Sequence, residues 1–217
     1  MRRGIEMSLR PLLLACTLLS SAAAAQQNLP ANGIFLVARP ELSDPNFEKT
    51  VVLVTQTEDG STVGVIINRP STLSLSQFLS REFETGNYRD PIFLGGPVMR
   101  QAIVAVYRSS SPPPAAAFHV LKNLYLTMHA DNLRRMLGNP AAKYRLYAGF
   151  SGWAPRQLQG EFTQDGWYVL PADEATVFRK VTDGMWEELV ARAAARGPRT
   201  LESGGTIIPT WFAPCDC

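Results

Sequence analysis

The 217-residue sequence is short of histidine, cysteine and net charge, and each shortage excludes something. It has two histidines and three cysteines. His119 and His129 lie apart in sequence, and Asp131 is the only carboxylate near either at ligand spacing, so no metal site is expected. Charge of one sign is missing as well. Lys and Arg total 21 and Asp and Glu 19, but residues 1–25 hold Arg2, Arg3 and Arg10 against Glu6, which leaves 18 of each sign in 26–217. A neutral body has no electrostatic grip on nucleic acid or an anionic membrane surface, so no nucleic-acid partner is expected. No Gly-Lys-Ser/Thr or Gly-x-Gly-x-x-Gly string completes a nucleotide loop, and no cofactor is expected. Beyond residues 11–25 there is no apolar run of membrane length, so the mature chain should carry no transmembrane segment.

What is present begins with a leader. Arg2, Arg3 and Arg10 precede the apolar, small-residue run from Pro11 to Ala25, and Ala23-Ala24-Ala25 before Gln26 has the form of a secretory cleavage site. The expectation is a signal peptide over 1–25 and a periplasmic or secreted mature protein; Met7 offers an alternative start. Cys16 behind Leu13-Leu14-Ala15 would support a lipoprotein, the lesser reading because its apolar run is only a few residues long. In an oxidising compartment Cys215 and Cys217 could close a small disulfide or cross-link two chains.

With 46% hydrophobic and 18% charged residues, positions 26–197 read as one globular domain followed by a tail over 198–217. Gly33–Ala38, Thr50–Gln56 and Thr62–Ile67 are nearly continuous apolar runs, which predicts strands covered on both faces. Asp59-Gly60 is a hairpin turn between the last two. One or two helical turns are expected over 73–80, and strands at Pro91–Leu94, Ala102–Tyr107, Leu124–Thr127, Tyr144–Ala148 and Trp167–Leu170. Ser109–Ala117, rich in Ser, Pro and Ala, reads as a surface excursion or flap. Helices are expected after Thr127, with Thr127 or Asp131 capping and Gly138 as the stop, from Pro155 through Phe162, over Ala172–Phe178, and over Val181–Arg196. Strands dominate early and helices late, an α+β arrangement (α/β in the broad sense).

The strings that carry chemistry are few. Gly149-Phe-Ser-Gly-Trp153 lacks the fifth-position glycine of a nucleophile elbow, and both histidines precede the serine, so no catalytic residue is assigned. A tight turn with Trp153 in the core is the expectation. Gly95-Gly96-Pro97 reads as a sharp turn rather than a phosphate cradle, because proline removes a donor. Arg39, Asp44 and Arg69 sit in proline-bearing loops at strand ends, where binding residues often lie, but local salt-bridging of the loops is the favoured reading.

Several strings together resemble one family. Gly33-Ile-Phe-Leu-Val-Ala-Arg-Pro-Glu-Leu-Ser-Asp-Pro-Asn-Phe47, Thr50-Val-Val-Leu-Val-Thr and Val63-Gly-Val-Ile-Ile-Asn-Arg-Pro70 resemble the opening of the YqgE/AlgH family (UPF0301, DUF179). Phe93-Leu-Gly-Gly-Pro-Val98, then Leu126-Thr127 with Asp131 and Leu133, then Ala148-Gly149, Gly152-Trp153 and Gln157-Leu158 with Glu161 and Trp167 follow in the same order. The resemblance runs from about Gly33 to about Arg196. It implies a compact domain with a closed or nearly closed, barrel-like mixed or antiparallel sheet flanked by helices, and no agreed catalytic residue. It also picks out Arg39, Pro40, Asp44, Asn68, Arg69, Gly95, Gly96, Pro97, Trp153 and Gln157 as candidate binding positions. The family's Gly-Trp-Gly-Pro-Gly-Gln-Leu stands here as Gly152-Trp-Ala-Pro-Arg-Gln-Leu158, with two glycines replaced. The resulting expectation is an exported, non-enzymatic module that binds an unknown small ligand or protein. The competing readings are a transcriptional regulator, as some relatives are labelled, and an enzyme with a site near Gly96 and Trp153.

Overall fold

A computed structural model describes residues 32–78 and 88–195. The expected leader, the tail, Cys16, Cys215 and Cys217 lie outside the described residues, as does most of the 81–90 connection. The three apolar runs form β1 (Ile34–Ala38), β2 (Val51–Gln56) and β3 (Thr62–Ile66), an antiparallel meander with Leu36 opposite Val52 and Val52 opposite Ile66. Side chains alternate across a strand. Phe35, Val37, Leu53 and Val65 therefore face one core, while Ile34, Leu36, Val54 and Ile66 face another. Burial on both faces is why these runs are continuous in apolar character.

The remaining strands are β4 (Phe93–Leu94), β5 (Val98–Arg108), β6 (Phe118–Leu121), β7 (Leu124–Thr127), β8 (Tyr144–Trp153) and β9 (Trp167–Pro171). All nine belong to one sheet in the order β6-β7-β5-β8-β3-β2-β1-β9, with β4 beside β8. Pairing is antiparallel except for β4, which runs parallel to β8. The sheet is mixed and flanked by helices, as expected, but it is not closed: β6 and β9 end it and do not pair. It is curled. The backbone N–H of Gly33 donates to the Val120 carbonyl at 2.8 Å, so β6 reaches back over the start of β1. Curling of this kind follows from strand twist added to the register shifts in β5 and β6.

The helices are α1 (Ala130–Leu137), α2 (Gln157–Thr163), α3 (Glu174–Val177) and α4 (Met185–Ala194), and residues Leu75–Gln77 form a single 3-10 turn. The concave face packs β1–β3 against Val104, Val106, Leu124 and Leu126, and α4 closes it with Met185 and Leu189. Trp186 Nε1 donates to the Ala38 carbonyl at 2.7 Å and anchors α4 to β1. On the convex side, α1 covers Ile103, Ala105 and Leu146, while α2 and the 40–49 loop cover Leu36, Val52 and Ile66. Burying each such aliphatic side chain is worth about 1.5–3 kcal/mol, so the three clusters supply the main stabilisation of the described residues.

Several expectations need correction. Strand β6 was not expected; it is four residues long and carries His119, too short and mixed for a periodicity signal. Helix α1 is capped by His129, whose Nδ1 accepts from the Asp131 N–H at 3.3 Å, and not by Thr127 or Asp131. His129 thus stands just outside the helix, with its Nδ1 3.8 Å from an Asp131 carboxylate oxygen. Thr127 instead accepts the His129 N–H and donates to the Ala116 carbonyl. With Asn132, which binds the Ala115 and Ala116 carbonyls, it pins the end of the 109–117 excursion.

Strand β8 also runs through Gly149-Phe-Ser-Gly-Trp153 instead of turning there, because β3 takes over as its partner: Thr62 pairs with Trp153 and Gly64 with Ser151. Before that point β8 pairs with β4 on the same side, Phe93 with Tyr147 and Leu94 with Ala148. Gly95 is where the three strands meet. Its N–H donates to the Ala148 carbonyl at 2.9 Å, and its carbonyl accepts from the Ile66 N–H at 2.9 Å and the Ser151 hydroxyl at 3.1 Å. A Cβ on Gly95 would stand 2.2 Å from the Gly149 carbonyl oxygen. Gly96, at φ +152°, would place a Cβ 2.4 Å from the Phe150 carbonyl and the Ser151 Oγ. The sequence reading of these glycines as backbone geometry therefore agrees with their surroundings. Gly96→Val should destabilise the domain by roughly 1–3 kcal/mol in urea unfolding, and a variant as stable as the parent would contradict this account of the seam.

Candidate functional site

The positions singled out by the sequence fall into two clusters and the seam. In the first cluster the 40–49 loop is braced by the end of β3. Asn68 Oδ1 accepts from the Val51 N–H and its Nδ2 donates to the Lys49 carbonyl, both at 2.9 Å. Arg69 donates to the carbonyls of Asn46 at 2.7 Å and Glu48 at 2.8 Å. Asp44 folds the loop on itself by accepting the Asn46 N–H at 2.8 Å, an Asx turn. Burial pushes the Arg69 guanidinium below its ordinary value, and the nearby Glu48 and Asp44 pull it back up. Pro40 stands exposed in the turn that opens the loop. Arg39 lies farther along, over the Tyr168 ring at 4.4 Å and 3.7 Å from Asp165. Asp44, Asn68 and Arg69 hold backbone in place, whereas Arg39 contacts side chains.

The second cluster is aromatic. Phe47 stacks on Trp153 at 5.5 Å and meets Trp167 edge-on at 5.5 Å, so the braced loop is clamped onto β8 and β9. The indole N–H of Trp153 reaches both Glu161 oxygens at 3.1 Å, and that of Trp167 reaches one at 2.9 Å. Gln157 adds a 3.4 Å contact to Glu161 and accepts the Ala154 N–H at 3.1 Å. Trp153 is 3% exposed, as expected of a core residue. Glu161, from α2, is the acceptor that lets two indoles be buried with their N–H groups satisfied. Ser151 is 0% exposed, and its hydroxyl serves the Gly95 carbonyl rather than any solvent-facing chemistry.

None of these positions lines a cavity among the described residues that is walled by β4, β8 and the α3–α4 connection. It has a volume of about 260 Å³ and is bounded by Asp90, Pro91, Phe93, Ala142, Lys143, Tyr144, Arg145, Phe178 and Lys180. Arg145, 4% exposed, comes from β8 and runs under the α3–α4 connection, where it donates to the carbonyls of Val177 and Arg179, both at 2.7 Å. Its guanidinium lies 4.4 Å from the centre of the Phe93 ring. Lys143 sits over Phe178 at 4.6 Å and pairs with Glu174 at 2.7 Å. Tyr144 stacks on Tyr88, whose hydroxyl donates to the Pro91 carbonyl and accepts from the Leu146 N–H, each at 3.2 Å. Burial pushes Tyr88 up to about 12 and raises Tyr144 as well. Sequence reasoning passed over Arg145. Its one signal was a full charge inside the otherwise apolar run expected as a strand.

The family model described as AlgH-like matches residues 35–196. The chain belongs to the AlgH-like family. A UPF0301 protein of Thermobifida fusca is 34% identical over 178 residues, covering 78% of this chain and 90% of that one. One of Mycobacterium tuberculosis is 32% identical over 174 residues, covering 78% and 85%. The solution structure of AlgH from Pseudomonas aeruginosa superposes with a TM-score of 0.60 at 27% identity, over 81% of this chain and 95% of that one. A crystal structure of a Corynebacterium diphtheriae protein, 21% identical, shares the fold with a TM-score of 0.59 over 88% and 95%. The family is uncharacterised, and membership assigns no activity.

One departure from the family string has a physical consequence. Arg156 stands where the family string has glycine, and its backbone is left-handed at φ +67° at the start of α2. A left-handed residue with a Cβ costs about 1–2 kcal/mol, partly offset by the larger unfolded-state entropy of glycine. Arg156→Gly should therefore raise stability by about 0.5–1 kcal/mol in chemical denaturation, and a loss of stability would contradict the strain.

Proposed function

We propose that this AlgH-like protein is an exported, non-enzymatic binding module whose small ligand occupies the cavity between β4, β8 and the α3–α4 connection. The cavity with buried Arg145 on its wall is the observation that carries the reading. Its volume lies just under the usual ~300–1,000 Å³ range of small-molecule sites. A binding rather than catalytic role is supported by the use of Ser151, Asn68, Arg69 and Gln157 in holding backbone and packing. A role away from promoters is supported by the neutral body of residues 26–217. Among the described residues no helix is long and apolar enough to cross a membrane.

A binder at a hundred times its Kd stabilises by ~2.7 kcal/mol, so thermal unfolding of residues 26–217 should rise by about 5–10 °C with at least one small compound. That compound should also shift the NMR signals of Tyr144 and Phe178. Binders that perturb only other regions, or none at all, would overturn the cavity as the site. Export is tested separately. Expression from Met1, cell fractionation and intact mass should yield a periplasmic species starting at or near Gln26. An unprocessed cytoplasmic product would reject it, and a lipid on Cys16 would place the protein on a membrane surface.

A further inference from the structure

The cavity is unevenly charged. Arg145, Lys143 and Lys180 line it against the single carboxylate of Asp90. Lys143 already has Glu174 at 2.7 Å. Arg145 does not share that compensation: its acceptors are two neutral carbonyls, and among the described residues it makes no ion pair. A cation taken out of water without a counter-charge is costly, and a bound anion would remove much of that cost. The guanidinium has donors left for it. Nη1 and Nη2 each carry two hydrogens and each places one on a carbonyl, and the buried Tyr147 hydroxyl is a further hydrogen-bond neighbour, so at most part of the donor capacity is left. A guanidinium N–H makes a short, charge-assisted hydrogen bond to a carboxylate oxygen.

The rest of the wall is apolar. Phe93, Phe178 and Tyr144 are contributed by three segments, and Pro91 and Ala142 complete the rim. A simple inorganic anion would leave this surface wet, whereas a compact apolar group attached to the anion would cover it. We infer that the cavity takes a small monocarboxylate carrying an aromatic ring or a similarly compact apolar group, with the carboxylate toward Arg145 and Lys180. This rests on the reading of the cavity as the ligand site and adds the class of ligand.

The test is an NMR titration of residues 26–217 with benzoate, its neutral isostere benzamide, and inorganic phosphate. Benzoate should shift Tyr144, Phe178 and Lys180 saturably and bind about tenfold more tightly than benzamide, the difference expected of a charge-assisted pair. Its affinity should fall as salt is added. Lys180 is exposed, so Lys180→Gln should leave the melting temperature unchanged. That variant should weaken benzoate about threefold while leaving benzamide as it was, a signature a purely structural cavity would not produce. Equal binding of benzamide, or no loss in the Lys180→Gln variant, would overturn the anion assignment while the cavity remained a site. Inorganic phosphate binding as tightly as benzoate would overturn the apolar component. If neither benzoate nor phosphate shifts these residues but a neutral compound does, the charge argument fails alone. If no compound shifts them, the reading of the cavity fails with it.

Discussion

The fold turns on the carbonyl and N–H of Gly95. Strands β3 and β8 are hydrogen-bonded only at Thr62–Gly64 and Ser151–Trp153, and beyond that they separate. The two-residue strand β4 fills the gap, and Gly95 joins all three through bonds to Ala148, Ile66 and Ser151. The junction is possible only where backbones touch, since a side chain on Gly95 or Gly96 would meet the main chain of Gly149 or Phe150. A buried backbone polar group left unpaired at such a fork would cost as much as a lost hydrogen bond. The Ser151 hydroxyl supplies the additional donor there. Ser151, to which the sequence assigned no catalytic role, is in this way part of the sheet.

Everything on either side of the seam follows from it. On one flank the 40–49 loop is drawn onto the sheet by Asn68 and Arg69 from the end of β3 and by Phe47 against Trp153 and Trp167. On the other flank β4 brings Phe93 under Arg145, and Arg145 reaches the α3–α4 connection. The two flanks differ in how their polar groups are satisfied. Around Trp153 each indole N–H finds Glu161, and the cluster is closed on itself. Around Arg145 the charge meets neutral oxygens, the face of the Phe93 ring and a space. That difference is what separates a structural cluster from a candidate site.

Much of this was legible before any coordinates. The runs at 34–38, 51–56 and 62–66 announced buried strands, because a strand covered on both faces has no polar period to show. Trp153 was read as core and is. The family strings marked the braced loop and the glycine seam; there Asn68 and Arg69 bind backbone groups of the loop, and Gly95 joins three strands through its own backbone. Strand β6 and the continuation of β8 through Trp153 were not legible, since strand pairing between distant segments leaves no local pattern. Closure of the sheet, implied by resemblance alone, does not occur.

By itself the sequence determined composition-level and local matters: an α+β domain with a neutral body, membership of one family, and glycines where the seam brings backbone against backbone. These depend on residue type and near neighbours, so they survive reading one position at a time. The tertiary structure decided which polar groups would find partners. Whether Ser151 is a nucleophile or a strut, whether Glu161 is solvated or shared by two indoles, and whether Arg145 faces a carboxylate or a cavity all depend on segments distant in the chain. Arg145 and Val177 are thirty-two positions apart, and no periodicity or motif spans that distance. The free energy of a buried charge is set by what surrounds it in space, and only the folded chain specifies that.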